Sequence, residues 1–219
     1  MTATCLEPLA PVLPAQASPR EPATPILEFP SPSATASWLA VVGAEHQMSN
    51  ETNPSRRAVL LGVGNILLTD EGVGVRLVEQ LERDCRLAPG LVVLDGGTAA
   101  MELLEDLEDL DLLVIADCVR VGQPPASVVV LKDDAVPSFF RARLSPHQVG
   151  LSDVLATLEI TERAPNHVVV VGVQPVDVSL GLEQSEAVRA VMPEALAAIH
   201  AALAEYGYAC PPRERRAAA

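Results

Sequence analysis

Cysteine is scarce in this sequence: its 219 residues hold four, Cys5, Cys85, Cys118 and Cys210, far apart and without a CxxC pair. That spacing excludes a disulfide framework and fits a reducing compartment. Basic side chains are also few, 15 against 29 acidic ones, which leaves a formal charge of −14. A surface of that sign repels phosphate backbones and anionic lipids, so neither nucleic acid nor a membrane is an expected partner. No apolar run approaches the roughly 20 residues of a membrane helix. The N-terminus also lacks the basic start and apolar core of a signal peptide. The expected location is cytoplasmic.

Glycine is nearly missing from the first 55 residues, where only Gly43 of 13 occurs, while nine of the 19 prolines fall there among Ala, Ser and Thr. Such a segment cannot build a core, and its apolar patch, Trp38 to Val42, is short. Residues 1–55 are therefore expected to be a disordered leader, 56–208 one folded domain, and 209–219 a flexible tail with Arg213, Arg215 and Arg216. A chain starting near Arg56 should melt cooperatively at nearly the full-length temperature; a loss of more than a few degrees would show that the leader packs on the domain.

What is present alternates between strand and helix patterns. The apolar run Ala58 to Gly64 predicts a strand, and Val73, Leu77, Val78, Leu81 and Cys85 follow at helical spacing. Leu91 to Leu94 predicts a second buried strand, followed by a helix capped by Thr98 that uses Met101, Leu103, Leu104 and Leu107. Leu112 to Ala116 predicts the third strand. About nine residues, Pro124 and Pro125 among them, separate it from the fourth, Val128 to Leu131. That is too few for a helical crossover, so the fourth strand is expected to be antiparallel. Gly150 to Leu158 predicts a helix and Val168 to Val171 the fifth strand. Val188 to Leu203 predicts a last helix, kinked or restarted at Pro193. The expected fold is a three-layer α/β sandwich: a mostly parallel five-stranded sheet with helices on both faces.

The working crevice of such a sheet lies beyond the carboxyl ends of its strands. Glu71 follows the first strand, Asp95 closes the second, Asp117 closes the third, and His147 comes from the loop Leu144 to Gln148. Each acid has a structural alternative. Asp70 or Glu71 can cap a helix, Asp95 can hold a turn with Gly96 and Gly97, and Asp117 can be a solvated strand end. Together, two carboxylates and an imidazole are ligands that zinc or nickel accepts. His46, in the leader, His167, at a strand start, and His200, on the last helix, are expected to have surface roles. Gly62, Val63 and Gly64 resemble the start of a dinucleotide fingerprint, but Leu67 stands where its third glycine belongs. There is no GxxxxGK[ST], HExxH or GxSxG motif. Cys118 with His147 as its base is a weaker nucleophile candidate, since a cysteine after a buried strand is usually a packing residue.

The stretches GVGNILLTDEGVGVR at Gly62 to Arg76, DGGTAAMELL at Asp95 to Leu104, IAD at Ile115 to Asp117, SPHQVGLSDVL at Ser145 to Leu155 and VGVQP at Val171 to Pro175 resemble the hydrogenase maturation endopeptidases. The resemblance runs from Ala58 to Leu203. It implies an endopeptidase, aspartyl-type or metal-dependent, that removes a C-terminal extension from the large-subunit precursor of nickel-iron hydrogenase after nickel insertion. It also implies that Glu71, Asp117 and His147 are the catalytic and metal-contacting residues, with nickel carried by the precursor and the protein a monomer. Asp95 is implied only as an acid lining the cleft. Ala100 replaces a glycine common in the second motif, and Val176 with Asp177 follow Pro175 where the family often has an acid. A second class of function stays open, a non-proteolytic chaperone for a metal-loaded subunit.

Overall fold

The computed structural model describes residues 56–136 and 146–213; for residue 100 and residues 146–149 it describes the backbone alone. The expected leader, with His46 and Cys5, lies outside the described residues, as do 137–145 and 214–219. Five strands form one sheet: β1 (Ala58–Val63), β2 (Leu91–Gly97), β3 (Leu112–Cys118), β4 (Val128–Lys132) and β5 (Val168–Val173), in the order β2-β1-β3-β5-β4. All neighbours are parallel except β4, which runs antiparallel to β5. Among the described residues three α-helices, α1 (Val73–Asp84), α2 (Pro146–Ile160) and α3 (Glu186–Glu205), complete the layers with 3-10 segments at Thr69–Gly72 and Ala100–Leu107.

The inner strands are apolar on both sides, because successive side chains point to opposite faces and each face is covered. Ala58, Leu60, Leu112, Val114, Val169 and Val171 pack with α1 and α3. Val59, Leu61, Leu113, Ile115 and Val170 pack with α2 and Leu107 of the second 3-10 segment. Full burial of each such leucine contributes about 1.5–3 kcal/mol, which makes these alternating runs the main source of sheet cohesion. The chain leaves β1 toward β2 and returns to place β3 on the other side of β1, with Gly62 opposite Ala116. The carboxyl ends of β1 and β3 thus flank the point where strand order reverses, where open α/β sheets bind ligands.

Two glycines bring the first helix close to that point. Gly74, in the first turn of α1, lies so near the carbonyl oxygens of Ala116 and Val63 that a Cβ there would overlap both. Gly64 has φ +133° and passes just as closely over the Glu71 carbonyl. Neither backbone path tolerates a side chain.

Several sequence-based expectations are corrected. β2 is an edge strand with Val92 and Asp95 exposed, because among the described residues no strand pairs beyond it. A run of four apolar residues cannot distinguish an edge from a centre. The segment after β2 is a 3-10 helix whose N-cap is Ala99, not Thr98, and Met101 is exposed. α2 begins at Pro146, so His147 lies in a first helical turn and not in a loop; proline suits that start because its missing N–H has no helical partner there anyway. α3 is one helix with Pro193 inside it, so no second segment starts there. It is 20 residues long and holds an 18-residue window with a mean hydropathy of 1.3, enough to cross a membrane by length and composition. Arg189, Pro193 and Glu194 interrupt the apolar run, and its apolar stripe packs on the sheet through Val188, Ala195, Ile199 and Leu203. The expected tail is packed as far as Arg213. Cys210 is buried, Pro212 bridges Cys85, and Arg213 donates to the carbonyls of Asp84, Cys85 and Glu82 at the end of α1.

Candidate active site

Asp117 is the penultimate residue of β3 and has no exposed surface. Its Oδ1 accepts the Cys118 N–H at 2.7 Å, which fixes the plane of the carboxylate. Its register partner on β5 is Gly172, and the space a Cβ would take there is filled by Val119. Glu71 is half-buried in the 3-10 turn after β1, its N–H donating to the Leu68 carbonyl at 3.0 Å. Both acids act on one buried thiol. Burial first, then the charges of Asp117 and Glu71, push Cys118 well above the usual thiol range, with Asp70 adding to them and Arg120 opposing.

Two of the three expected site residues therefore lie on neighbouring elements at the strand-order reversal, Glu71 on the 3-10 turn after β1 and Asp117 on β3, which pack together. The side chain of the third, His147, lies outside the description, and its backbone is in the first turn of α2. Among the described side chains, no three His, Cys, Asp or Glu residues group closely enough to hold a metal ion. A metal-contacting set here depends on His147. The donor chemistry, two carboxylates and an imidazole, suits a borderline divalent ion such as nickel.

Raising its pKa leaves Cys118 as a protonated thiol at neutral pH, and the thiol is the weaker nucleophile. Cys118→Ala should keep peptide cleavage within a few-fold of wild type; complete loss with an unchanged melting curve would restore the cysteine nucleophile.

Asp95 is exposed, and its Oδ1 accepts the Gly97 N–H at 2.9 Å, the turn geometry of its structural alternative. His167 is exposed, with its ring 4.6 Å from that of Tyr206 and its Nδ1 3.6 Å from Asp133. His200 is not a surface residue. It is half-buried against Cys85, 3.7 Å from the sulfur, and burial pushes its pKa below the usual range.

Asp70 is what the sequence reading missed. It is fully buried, and Oδ2 accepts the N–H groups of Val176 and Asp177, both at 2.9 Å, and the Ser185 hydroxyl at 3.0 Å. Oδ1 accepts the Ser185 N–H at 2.7 Å. Ser185 in turn caps α3, its Oγ accepting the Val188 N–H. One carboxylate thus ties the turn carrying Glu71 to the β5–α3 loop and the start of α3. Gln174 does similar work across the sheet edge, its Oε1 accepting the Val121 and Gly122 N–H groups at 3.0 and 3.2 Å.

Comparison with known proteins places this geometry in a family. Residues 75–202 match the family profile HycI, described as hydrogenase maturation protease. The hydrogenase 2 maturation protease of Escherichia coli (strain K12) is 45% identical over 159 residues, 72% of this chain and 97% of that protein. The solved structure of the hydrogenase maturating endopeptidase HybD from E. coli superposes with a TM-score of 0.70 at 43% identity, covering 73% of this chain and 99% of that one. A nickel-iron (NiFe) hydrogenase maturation protease HybD from Thermococcus kodakarensis matches at 26% identity and TM-score 0.55, over 65% and 96% of the two chains. The fold and this similarity together identify the chain as a member of the hydrogenase maturation protease family and a peptide hydrolase.

Proposed function

We propose that this protein removes a C-terminal extension from the large-subunit precursor of a nickel-iron hydrogenase, after nickel has been inserted, with nickel on the precursor as the recognition element. Glu71, Asp117 and His147 contact that nickel, and the cleavage site is presented to them only when the metal is in place. The observation that supports this reading is that Asp117 on β3 and Glu71 on the turn after β1 lie on packed neighbouring elements at the ligand-binding edge of the sheet. A polarised carbonyl and an activated water are what peptide hydrolysis requires and what a divalent metal supplies. The protein's own side chains orient the precursor around the metal.

The protein acts in the cytoplasm as a monomer in this reading. Cys85, Cys118 and Cys210 are free thiols, which a reducing compartment preserves. Intact-mass measurement of precursor incubated with the protein tests the reaction. Nickel-loaded precursor should lose the mass of a C-terminal peptide while nickel-free precursor keeps its full mass. Equal cleavage of both would remove nickel from the account, and cleavage of neither would refute the reaction.

A further inference from the structure

Five of the eight large apolar side chains that the described residues expose lie on two loops beside the acid pair: Ile66 and Leu67 before Glu71, and Val176, Leu180 and Leu182 between β5 and α3. Leu180 is 84% exposed and Leu182 65%. Isolated exposed leucines need no explanation, but a cluster this dense marks an interaction surface.

The two loops form one rigid platform. Leu68 and Leu180 make an antiparallel bridge, the Gly181 N–H donates to Leu67 O at 2.9 Å, and the Thr69 N–H donates to Ser179 O at 3.1 Å. The Thr69 hydroxyl donates to Asp177 O at 2.7 Å, and the Asp70 carboxylate holds the base of both loops. Arg76 donates to the Leu182 carbonyl. A platform ordered before its partner arrives costs less entropy on binding. Its rim is acidic: Glu71, Asp177, Glu183 and Glu186 stand against Arg76 and Arg189, and Arg189 already pairs with Glu183 at 3.7 Å. An apolar segment with basic flanks fits such a surface.

We infer that Ile66, Leu67, Val176, Leu180 and Leu182 form the docking surface for an apolar, basic-flanked segment of the precursor protein next to the bond that is cut. This rests on the proposed reaction, since Ile66 and Leu67 precede Glu71 on the same loop and the patch therefore borders the proposed site. Docking residues supply binding shared by ground and transition states, so their loss raises KM and leaves kcat in place.

Steady-state processing of nickel-loaded precursor by wild type, Leu67→Asp, Leu180→Asp and Leu180→Met tests the surface, with melting curves confirming that each variant folds. Each aspartate variant should raise KM by about tenfold or more with little change in kcat, while Leu180→Met should stay near wild type, because it keeps the apolar area. Unchanged KM in both aspartate variants overturns the inference. So does a wild-type dimer that Leu180→Asp converts to monomer without changing KM, since the patch would then be a contact between two copies of this chain. If wild type leaves the precursor uncut, the proposed reaction fails. Calorimetric titration of the same precursor into wild type and Leu180→Asp then decides the surface by itself: weaker binding by the variant supports it, and equal binding overturns it.

Discussion

Glu71→Gln and Asp117→Asn should each abolish precursor processing, with a loss of about 100-fold or more, while leaving the fold standing. The Asp117 change is conservative where it matters for structure. Asparagine keeps an Oδ1 that can accept the Cys118 N–H, and it adds no volume to a fully buried site. Glu71 is half-exposed on a short turn, and an amide there disturbs little. The stability cost of either change should therefore remain within about 0.5–2 kcal/mol. Groups that contact one metal fail together, so the double variant should be hardly worse than the worse single variant. Additive losses would mean that the two carboxylates act independently. Processing rates and melting curves on the same preparations separate these outcomes from unfolding.

The second large effect is on stability. Asp70→Ala would strand the N–H groups of Val176, Asp177 and Ser185, all now donating to one buried carboxylate. Each buried donor left without a partner costs about 1–3 kcal/mol, so a total loss on the order of 3–5 kcal/mol is expected after some rearrangement. For a domain of this size that corresponds to a fall in Tm on the order of 10 °C. Asp70→Asn should cost less, because its one oxygen can keep the Val176 and Asp177 N–H groups while its NH2 group faces only the Ser185 N–H. Thermal unfolding checks both, and an Asp70→Ala protein melting within about 2 °C of wild type would show that water replaces the carboxylate at little cost.

The elements legible in the sequence were those whose hydrophobic period is set by packing on both faces. β1, β3, β5 and α1 carry unbroken apolar runs or a clean helical stripe, and their central residues sit in the core as that pattern requires. The antiparallel β4 followed from the short connection after β3. Edge position was not legible for β2, since Leu91 to Leu94 reads the same whether one neighbour or two is present. The packed segment through Arg213 was hidden because its contacts are backbone carbonyls at the end of α1, which leave no trace in side-chain pattern. At the candidate site, the positions of Glu71 and Asp117 after β1 and at the end of β3 were legible because strand ends are read from the apolar runs. The role of Asp70 was not, because its partners lie 106 to 115 residues away and three of them are backbone N–H groups that any sequence supplies.

The central claim is that Glu71, Asp117 and His147 form one metal-contacting unit, and its most direct test is a crystal of the protein soaked with nickel or another divalent cation. Anomalous density bounded by the Glu71 and Asp117 carboxylates and the His147 ring is the predicted result. Density elsewhere, with these three side chains apart and turned to solvent, would contradict it.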